Sequence, residues 1–285
     1  MREETLAEYA NPEVLVDTDW LEQHVGDSDL AIIEVDEDAE AYEKGHITNA
    51  IGINWETELH DLPRREFISS EQLATLLGSK GVGSNDTIVL YSGNNNWFAA
   101  YAYWLFQYRG VENVKLLDGG RKKWELESRL LTADAVDREP TTFAIGAPQK
   151  ELRIFRDEVL QRVESGQGGW VDVRSPEEFR GELFAPPHLP QEQAQVPGHI
   201  PGAANITWAK TVNDDGSFKS ADELTQLYKA EGITPDQDIV AYCRIGERSS
   251  HSWFVLKELL GYEQVRNYDG SWTEYGSLVG VPIEK

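Results

Sequence analysis

The chain contains a long internal repeat, in which the same short segments return in the same order about half a chain later. The repeated segments are GHI at residues 45–47 and 198–200, IVLY and IVAY at 88–91 and 239–242, and LDGG and YDGS at 117–120 and 268–271. The first pair lies 153 positions apart and the other two lie 151 positions apart. Because this spacing is the size of a domain, the 285 residues predict two domains that share one fold.

Within each half, short β-rich runs alternate with helical patterns. The predicted strands are residues 31–35, 51–53, 87–91 and 114–117 in the first half and 170–173, 203–206, 238–242 and 264–267 in the second. The predicted helices are residues 70–77, 96–108 and 120–127, then 155–164, 221–231, 249–260 and a short one near Trp272. Strands that alternate with helices form mainly parallel sheets with helices on both faces. The sequence therefore predicts an α/β protein.

The repeat also suggests where the domains begin and end. Residues 131–150 contain proline and glycine and have no clear hydrophobic period, which is typical of a linker. We therefore expect an N-terminal domain at residues 14–130, a linker at 131–150 and a C-terminal domain at 151–285.

The charge of the chain excludes some classes of partner. It has 50 acidic and 26 basic residues, so its formal net charge is −24. Such a field repels nucleic acid phosphates and anionic membranes, so neither is an expected partner. The acidic residues are spread along the chain instead of forming a tail. This distribution favours a solvated surface suited to a high-salt, halophilic cytoplasm.

No segment of the sequence suggests a membrane or a secretion signal. The most apolar window, residues 97–106, is much shorter than the ~20 residues that a transmembrane helix needs. The first 13 residues lack the basic and apolar regions of a signal peptide. We therefore expect a cytoplasmic protein.

The single cysteine, Cys243, stands in a setting that suits a nucleophile. It follows a predicted strand and precedes a helix that begins near Ser249, and ligands bind at this end of open α/β sheets. A helix N-terminus stabilises anions and lowers the pKa of a nearby thiol. Arg244 and Arg248 add positive charge on either side of the loop. This setting favours a reactive thiol over the alternative, a small buried apolar residue.

Four motifs carry a resemblance to a known family. They are residues 171–181 (VDVRSPEEFRG), 198–203 (GHIPGA), 242–250 (YCRIGERSS) and 267–272 (NYDGSW). In this order they resemble the tandem-domain rhodaneses, which are the thiosulfate and 3-mercaptopyruvate sulfurtransferases. The closest likeness is to prokaryotic thiosulfate sulfurtransferases with a CRIGERSS loop.

The resemblance implies a division of labour between the two domains. In the family the N-terminal domain is an inactive copy, and the cleft between the domains binds substrate. Ser92 agrees with this, because it stands where the repeat predicts a cysteine.

The resemblance also implies the chemistry. Cys243 is expected to take the outer sulfur of thiosulfate as a persulfide and to pass it to cyanide or a thiol with ping-pong kinetics, as thiosulfate:cyanide sulfurtransferases do. The expected site residues are Arg244, Arg248 and Arg180 for the donor anion, and Ile245, Gly246, Glu247 and Ser249 in the loop whose backbone N–H groups stabilise the persulfide. A protein sulfur acceptor is a further expected partner. No metal or organic cofactor is needed.

Three other functions remain as alternatives. A 3-mercaptopyruvate sulfurtransferase typically has a small uncharged loop such as CGSG, whereas this chain has Arg244 directly after the cysteine. A rhodanese-like phosphatase has five residues between cysteine and arginine, whereas Cys243 and Arg248 enclose four. A rhodanese module that only binds partners would not need the intact cysteine loop.

Several further residues have two interpretations. In vertebrate-type members an arginine occupies the position of Glu178, so Arg180 becomes the candidate sulfonate ligand, with a solvated surface arginine as the alternative. We expect Asp172 and Arg174 to form a structural pair, with substrate ligands as the alternative. We expect His46 and His199 to be turn or core residues and not catalysts, whereas His251 could be either. Residues 182–196 are expected to form a loop at the cleft.

The net charge generates a prediction about salt. Self-repulsion destabilises the compact state most at low ionic strength, where the Debye length is about 30 Å at 0.01 M against about 3 Å at 1 M. The melting temperature, measured by differential scanning fluorimetry, should therefore rise steeply between dilute buffer and molar KCl. A flat melting temperature over this range would remove the halophile hypothesis.

Overall fold

The computed structural model describes residues 6, 8–38, 40–186 and 193–285, and the chain divides into two compact units. The N-terminal unit consists of Glu13–Lys150 and Val212–Phe218. The C-terminal unit consists of residues 8–12, Glu151–Thr211 and Lys219–Lys285. Within the described part of the chain, no helix is both long enough and apolar enough to cross a membrane.

The N-terminal unit is built on a five-stranded parallel sheet. The strands of this unit, in the main sheet and in two small sheets, are β1 (Leu15–Val16), β2 (Leu30–Glu34), β3 (His46–Ile47), β4 (Ile51–Gly52), β5 (His60–Asp61), β6 (Glu66–Phe67), β7 (Thr87–Tyr91), β8 (Val114–Leu117) and β9 (Leu131–Thr132). The order in the main sheet is β1-β8-β7-β2-β4. The two small sheets, β3 with β9 and β5 with β6, are antiparallel. The whole of β2 is buried, as expected for a strand covered on both faces.

The helices of this unit are α1 (Thr18–His24), α2 (Ala41–Lys44), α3 (Trp55–Glu58), α4 (Ser70–Ser79), α5 (Trp97–Arg109) and α6 (Gly120–Leu126). A capping box between Ser69 and Gln72 fixes the start of α4. Nearly every residue of α5 is buried, so this helix forms part of the core.

The C-terminal unit repeats this architecture with four parallel strands. They are β10 (Gly169–Asp172), β11 (Ala204–Asn205), β12 (Ile239–Tyr242) and β13 (Val265–Tyr268), in the order β11-β10-β12-β13. The helices are α7 (Arg156–Ser165), α8 (Pro176–Phe179), α9 (Ala221–Ala230), α10 (Glu247–Phe254) and α11 (Ser271–Tyr275). A π-helical turn, Val255–Leu259, continues α10.

The two units share their central topology. The order β8-β7-β2-β4 in the first corresponds to β13-β12-β10-β11 in the second. The predicted strands and helices of both halves are present, with ends that differ by one or two residues. The α/β class and the tandem repeat are therefore confirmed.

A buried ion pair with a tyrosine ties the N-terminal sheet to the GHI turn. The Tyr91 hydroxyl donates to Glu34 at 2.5 Å and accepts the Ile47 N–H at 3.0 Å. Arg121, from α6, donates to Glu34 and to the Gly45 carbonyl at 2.6 Å. Burial raises the pKa of Glu34, although Arg121 acts in the opposite direction.

The C-terminal unit has the same arrangement with a different arginine. The Tyr242 hydroxyl accepts the Ile200 N–H at 3.1 Å, and its neighbouring carboxylate is Asp172. Arg174, two residues after Asp172, donates to that carboxylate and to the Gly198 carbonyl at 2.7 Å. The expected structural pair of Asp172 and Arg174 is therefore present.

The predicted linker, residues 131–150, is held along the N-terminal unit. β9 pairs with β3, the Thr141 N–H donates to Gly78 O at 2.8 Å, and the Gly146 N–H donates to Gly110 O at 2.8 Å. Scattered backbone hydrogen bonds impose no hydrophobic period, which is why the sequence pattern resembles a linker.

Residues 212–218 belong to the N-terminal unit, which no pattern in the sequence predicts. The Phe218 N–H donates to the buried carboxylate of Asp118 at 2.9 Å, and the Lys123 ammonium donates to Asp215 at 2.6 Å. These contacts join a short segment from the second half of the chain to the first unit.

Candidate functional site

Cys243 lies at the carboxyl end of the parallel sheet of the C-terminal unit. It directly follows β12, which has β10 and β13 as its neighbours. Its side chain is fully buried, and α10 begins at Glu247. The thiol therefore lies between a strand end and a helix N-terminus, as the sequence predicts.

Gly246 aims the loop at the sulfur. Its N–H donates to Cys243 Sγ at 3.1 Å. Its φ of 107° lies in the left-handed region, and a Cβ at this position would come within 2.8 Å of Asp269 Cα. Both observations require glycine here. A larger residue would displace the N–H that contacts the sulfur.

The start of α11 holds the backbone of Cys243 in place. The Ser271 hydroxyl accepts the Cys243 N–H at 3.0 Å and donates to Tyr268 O at 2.6 Å. The Trp272 N–H donates to Cys243 O at 3.1 Å, and the Thr273 N–H donates to Arg244 O at 3.0 Å. These bonds explain the presence of the NYDGSW motif, because it supports the cysteine loop.

Arg248 forms a buried, bidentate ion pair with a carboxylate. Its Nη1 and Nη2 donate to the two carboxylate oxygens of Glu178, each at 2.9 Å, and both side chains are buried. Burial acts to lower the pKa of Arg248, but the hydrogen bonds and charge of Glu178 raise it. The sequence treated Arg248 as a donor ligand. In the structure its charge is matched by Glu178, which a capping box with Ser175 holds in α8.

Arg244 is the other cation of the loop, and it too is buried. Burial lowers its pKa, and the like charge of Arg248 lowers it further. The charges of Glu247, Cys243 and Glu178 act in the opposite direction. A buried guanidinium with these neighbours contributes positive potential near the sulfur.

Arg180 lies on the surface. Its Nε and Nη2 donate to Glu182 at 2.9 and 2.8 Å, and Glu177 is 3.6 Å away. The side chain is half exposed. The structure therefore gives Arg180 the surface ion pair that the sequence left as its alternative.

Both histidines of the GHI motifs have structural contacts. His46 Nδ1 contacts Tyr42 O at 2.9 Å and its ring stacks on Tyr42. His199 Nδ1 contacts Phe179 O at 2.8 Å and its ring stacks on Phe179. Within the predicted cleft loop 182–196, residues 187–192 lie outside the described residues.

The matching loop of the N-terminal unit lacks the features of a sulfur site. The Ser92 hydroxyl accepts the Ala99 N–H at 3.1 Å and donates to Gly93 O at 3.2 Å. The Gly93 N–H donates to the carboxylate of Asp36. A carboxylate therefore accepts the first N–H after Ser92, in a loop that has serine in place of the cysteine.

The sequence did not predict a buried side chain at Glu247, because only the backbone of this loop residue was expected to contribute. Its side chain is buried, and burial raises its pKa to about 7, although its own backbone N–H, Arg244 and Arg248 favour the ionised form. Asp269 raises the pKa further. Its position next to Gly246 in the loop was the available signal.

The raised pKa generates a prediction about stability. Below the ordinary value of 4.5 the carboxyl is protonated in folded and unfolded chains alike, so it has no cost. As pH rises from 4.5 to about 7 the unfolded chain ionises first, so stability is lost over this window. Glu247→Gln should therefore stabilise the protein by less than about 1 kcal/mol at pH 5 and by about 3 kcal/mol at pH 8.

Urea unfolding at the two pH values measures this difference. Glu177→Gln provides the matched control, because it makes the same substitution at a half-exposed position. A Glu247→Gln variant that is destabilised at pH 8 would contradict the prediction.

Comparison with known proteins identifies the family. The model of the rhodanese-like domain matches the chain twice, at residues 17–127 and 155–278. The Mycolicibacterium smegmatis protein named "Putative thiosulfate sulfurtransferase" is 55% identical over 275 residues, which cover 96% of this chain and 99% of that protein. "Sulfur carrier protein TtuD" of Thermus thermophilus is 54% identical over 280 residues, which cover 97% and 98%.

A solved structure agrees with this assignment. The crystal structure of YnjE has a TM-score of 0.82 at 26% sequence identity, and the match covers 97% of this chain and 69% of that one. This chain belongs to the rhodanese family and consists of two rhodanese-like domains.

Proposed function

We propose that this protein is a thiosulfate sulfurtransferase that carries sulfur as a persulfide on Cys243. The observation that carries the proposal is the contact of the Cys243 sulfur with the Gly246 N–H at the start of α10. The chain has one cysteine, so sulfur can be stored on no other thiol. The names of close relatives support the same activity.

The transfer takes two displacements. In the first, the Cys243 thiolate attacks the outer sulfur of thiosulfate, whose S–S bond breaks so that sulfite leaves with the electron pair. In the second, cyanide or an acceptor thiolate attacks the outer sulfur of the persulfide. The enzyme S–S bond then breaks and the Cys243 thiolate returns, with thiocyanate or an acceptor persulfide as product.

Backbone N–H groups and one arginine stabilise the anions in these steps. The Gly246 N–H already contacts the sulfur, and the N-terminus of α10 favours negative charge there. Residues 244–249, which include Ile245, Glu247 and Ser249, form the rest of the loop. We assign Arg244, the buried cation directly after Cys243, to the donor anion, and the Arg248–Glu178 pair to support of the loop.

Arg244 also favours thiosulfate over 3-mercaptopyruvate, the alternative donor. Thiosulfate is a compact dianion, and a charge-assisted hydrogen bond to it is worth about 1.5–3 kcal/mol. A monoanionic keto acid gains less from a buried guanidinium next to the cysteine. A phosphatase is disfavoured because the loop between Cys243 and Arg248 is one residue shorter than that chemistry uses.

The acceptor is cyanide or a thiol, and a protein thiol is included in this class. The name of the relative "Sulfur carrier protein TtuD" supports a protein acceptor. A thiol that must stay reduced between turnovers requires a reducing compartment, which supports a cytoplasmic location.

The first prediction concerns the nucleophile. Cys243→Ser should abolish thiocyanate formation from thiosulfate and cyanide, because a hydroxyl cannot store sulfur. Ser92→Ala is the matched control at the equivalent loop, and its turnover should stay within about twofold of wild type. Residual transfer by Cys243→Ser above a few per cent would contradict the mechanism.

The second prediction concerns the donor. Arg244→Gly should lower kcat/KM for thiosulfate about tenfold or more, and should affect 3-mercaptopyruvate less. Arg180→Ala removes a surface ion pair and should leave both donors within about twofold. Equal losses for both donors in Arg244→Gly would show that Arg244 does not select the donor, and a large rise of KM in Arg180→Ala would restore Arg180 as a ligand.

A further inference from the structure

A cluster of buried polar side chains lies on the inner side of the cysteine loop. Ser249 and Ser250 come from α10, and Asn267 comes from β13. All three are fully buried. Buried polar groups at this depth are costly unless each is hydrogen-bonded, so their partners identify what they hold.

The hydrogen bonds of the cluster converge on the carbonyl of Gly246. The Ser250 hydroxyl donates to Gly246 O at 2.8 Å, and Asn267 Nδ2 donates to it at 3.2 Å. The Ser250 N–H adds the first helical hydrogen bond at 3.2 Å. The same residue whose N–H contacts the sulfur is therefore anchored through its carbonyl.

The side-chain amide of Asn267 contacts every other member of this cluster. Its second amide hydrogen goes to Ser250 Oγ at 2.9 Å, and its oxygen accepts the Ser249 hydroxyl at 2.7 Å. The Gly246 carbonyl can only accept, so the amide nitrogen of Asn267 is the end that faces it. The Ser249 hydroxyl also lies 3.0 Å from this carbonyl. Both amide hydrogens of Asn267 thus have an acceptor.

The anchor determines the direction of the N–H groups at the sulfur. In a planar trans peptide the C=O and N–H point in opposite directions. With Gly246 O held toward β13, the N–H of the same peptide unit, on Glu247, points out of the helix N-terminus. The anchored Cα of Gly246 also keeps its own N–H at 3.1 Å from Cys243 Sγ.

We propose that Asn267, through its hydrogen bond to Gly246 O, is a positioning residue that aims the loop N–H groups at the Cys243 sulfur. The role rests on the sulfur transfer proposed above. Asn267 acts through the backbone of Gly246 and does not bind the donor. Its loss should therefore slow the chemical step and leave donor binding largely intact.

The test compares Asn267→Ala with wild type in two assays. Loading of sulfur from thiosulfate, followed by stopped-flow release of sulfite, should show kcat reduced about tenfold and KM changed less than threefold. Iodoacetamide alkylates only Cys243 in this chain, and the pH of half-maximal alkylation should move up by about half a unit or more as the N–H groups lose their aim.

Two further variants separate positioning from stability. Ser250→Ala removes another donor to Gly246 O, and its effect on kcat should combine with that of Asn267→Ala less than additively. Asn96→Ala, in the N-terminal unit, deletes a buried asparagine that accepts the Ser92 N–H and donates to Leu117 O. It should lower the melting temperature and leave both assays unchanged.

The outcomes distinguish this proposal from the proposed function. If Asn267→Ala and Ser250→Ala lower the melting temperature but leave kcat and the alkylation profile at wild-type values, Asn267 only supports the fold and the proposal is wrong. If wild-type protein itself takes no sulfur from thiosulfate, the proposed function fails, and the alkylation profile alone decides on the role of Asn267.

Discussion

The contact between the Gly246 N–H and the Cys243 sulfur is the interaction on which the site depends. It needs a left-handed glycine, a strand that ends at the cysteine and a helix that begins at residue 247. α11 holds the outer side of the loop through Cys243 O, and the buried amide of Asn267 holds the inner side through Gly246 O. The fold thus holds the sulfur against the Gly246 N–H at the start of a helix.

The two units show how one architecture supports different chemistry. Both keep a tyrosine and a carboxylate behind the GHI turn, but the arginine comes from α6 in the first and from two residues after the end of β10 in the second. In the first unit Asp36 lies beside the loop and accepts the Gly93 N–H. The N-terminal unit therefore keeps the fold, while a serine replaces the thiol and a carboxylate accepts one N–H of its loop.

The sequence predicted the repeat, the strands and the position of Cys243, because these depend on local pattern and on order along the chain. It did not predict that Arg248 pairs with Glu178, since 70 positions separate them and only the fold brings α8 against α10. The buried state of Glu247 was missed for the same reason. Residues 212–218 were missed because nothing in their own sequence indicates that they belong to the N-terminal unit.

The central claim is that Cys243 stores the outer sulfur of thiosulfate. Intact-mass spectrometry of the reduced protein, after incubation with thiosulfate and removal of the donor, tests it most directly. The account predicts a gain of one sulfur atom per chain, mapped to the peptide that contains Cys243 and lost on addition of cyanide. An unchanged mass, or a gain that includes the sulfite group, would contradict it.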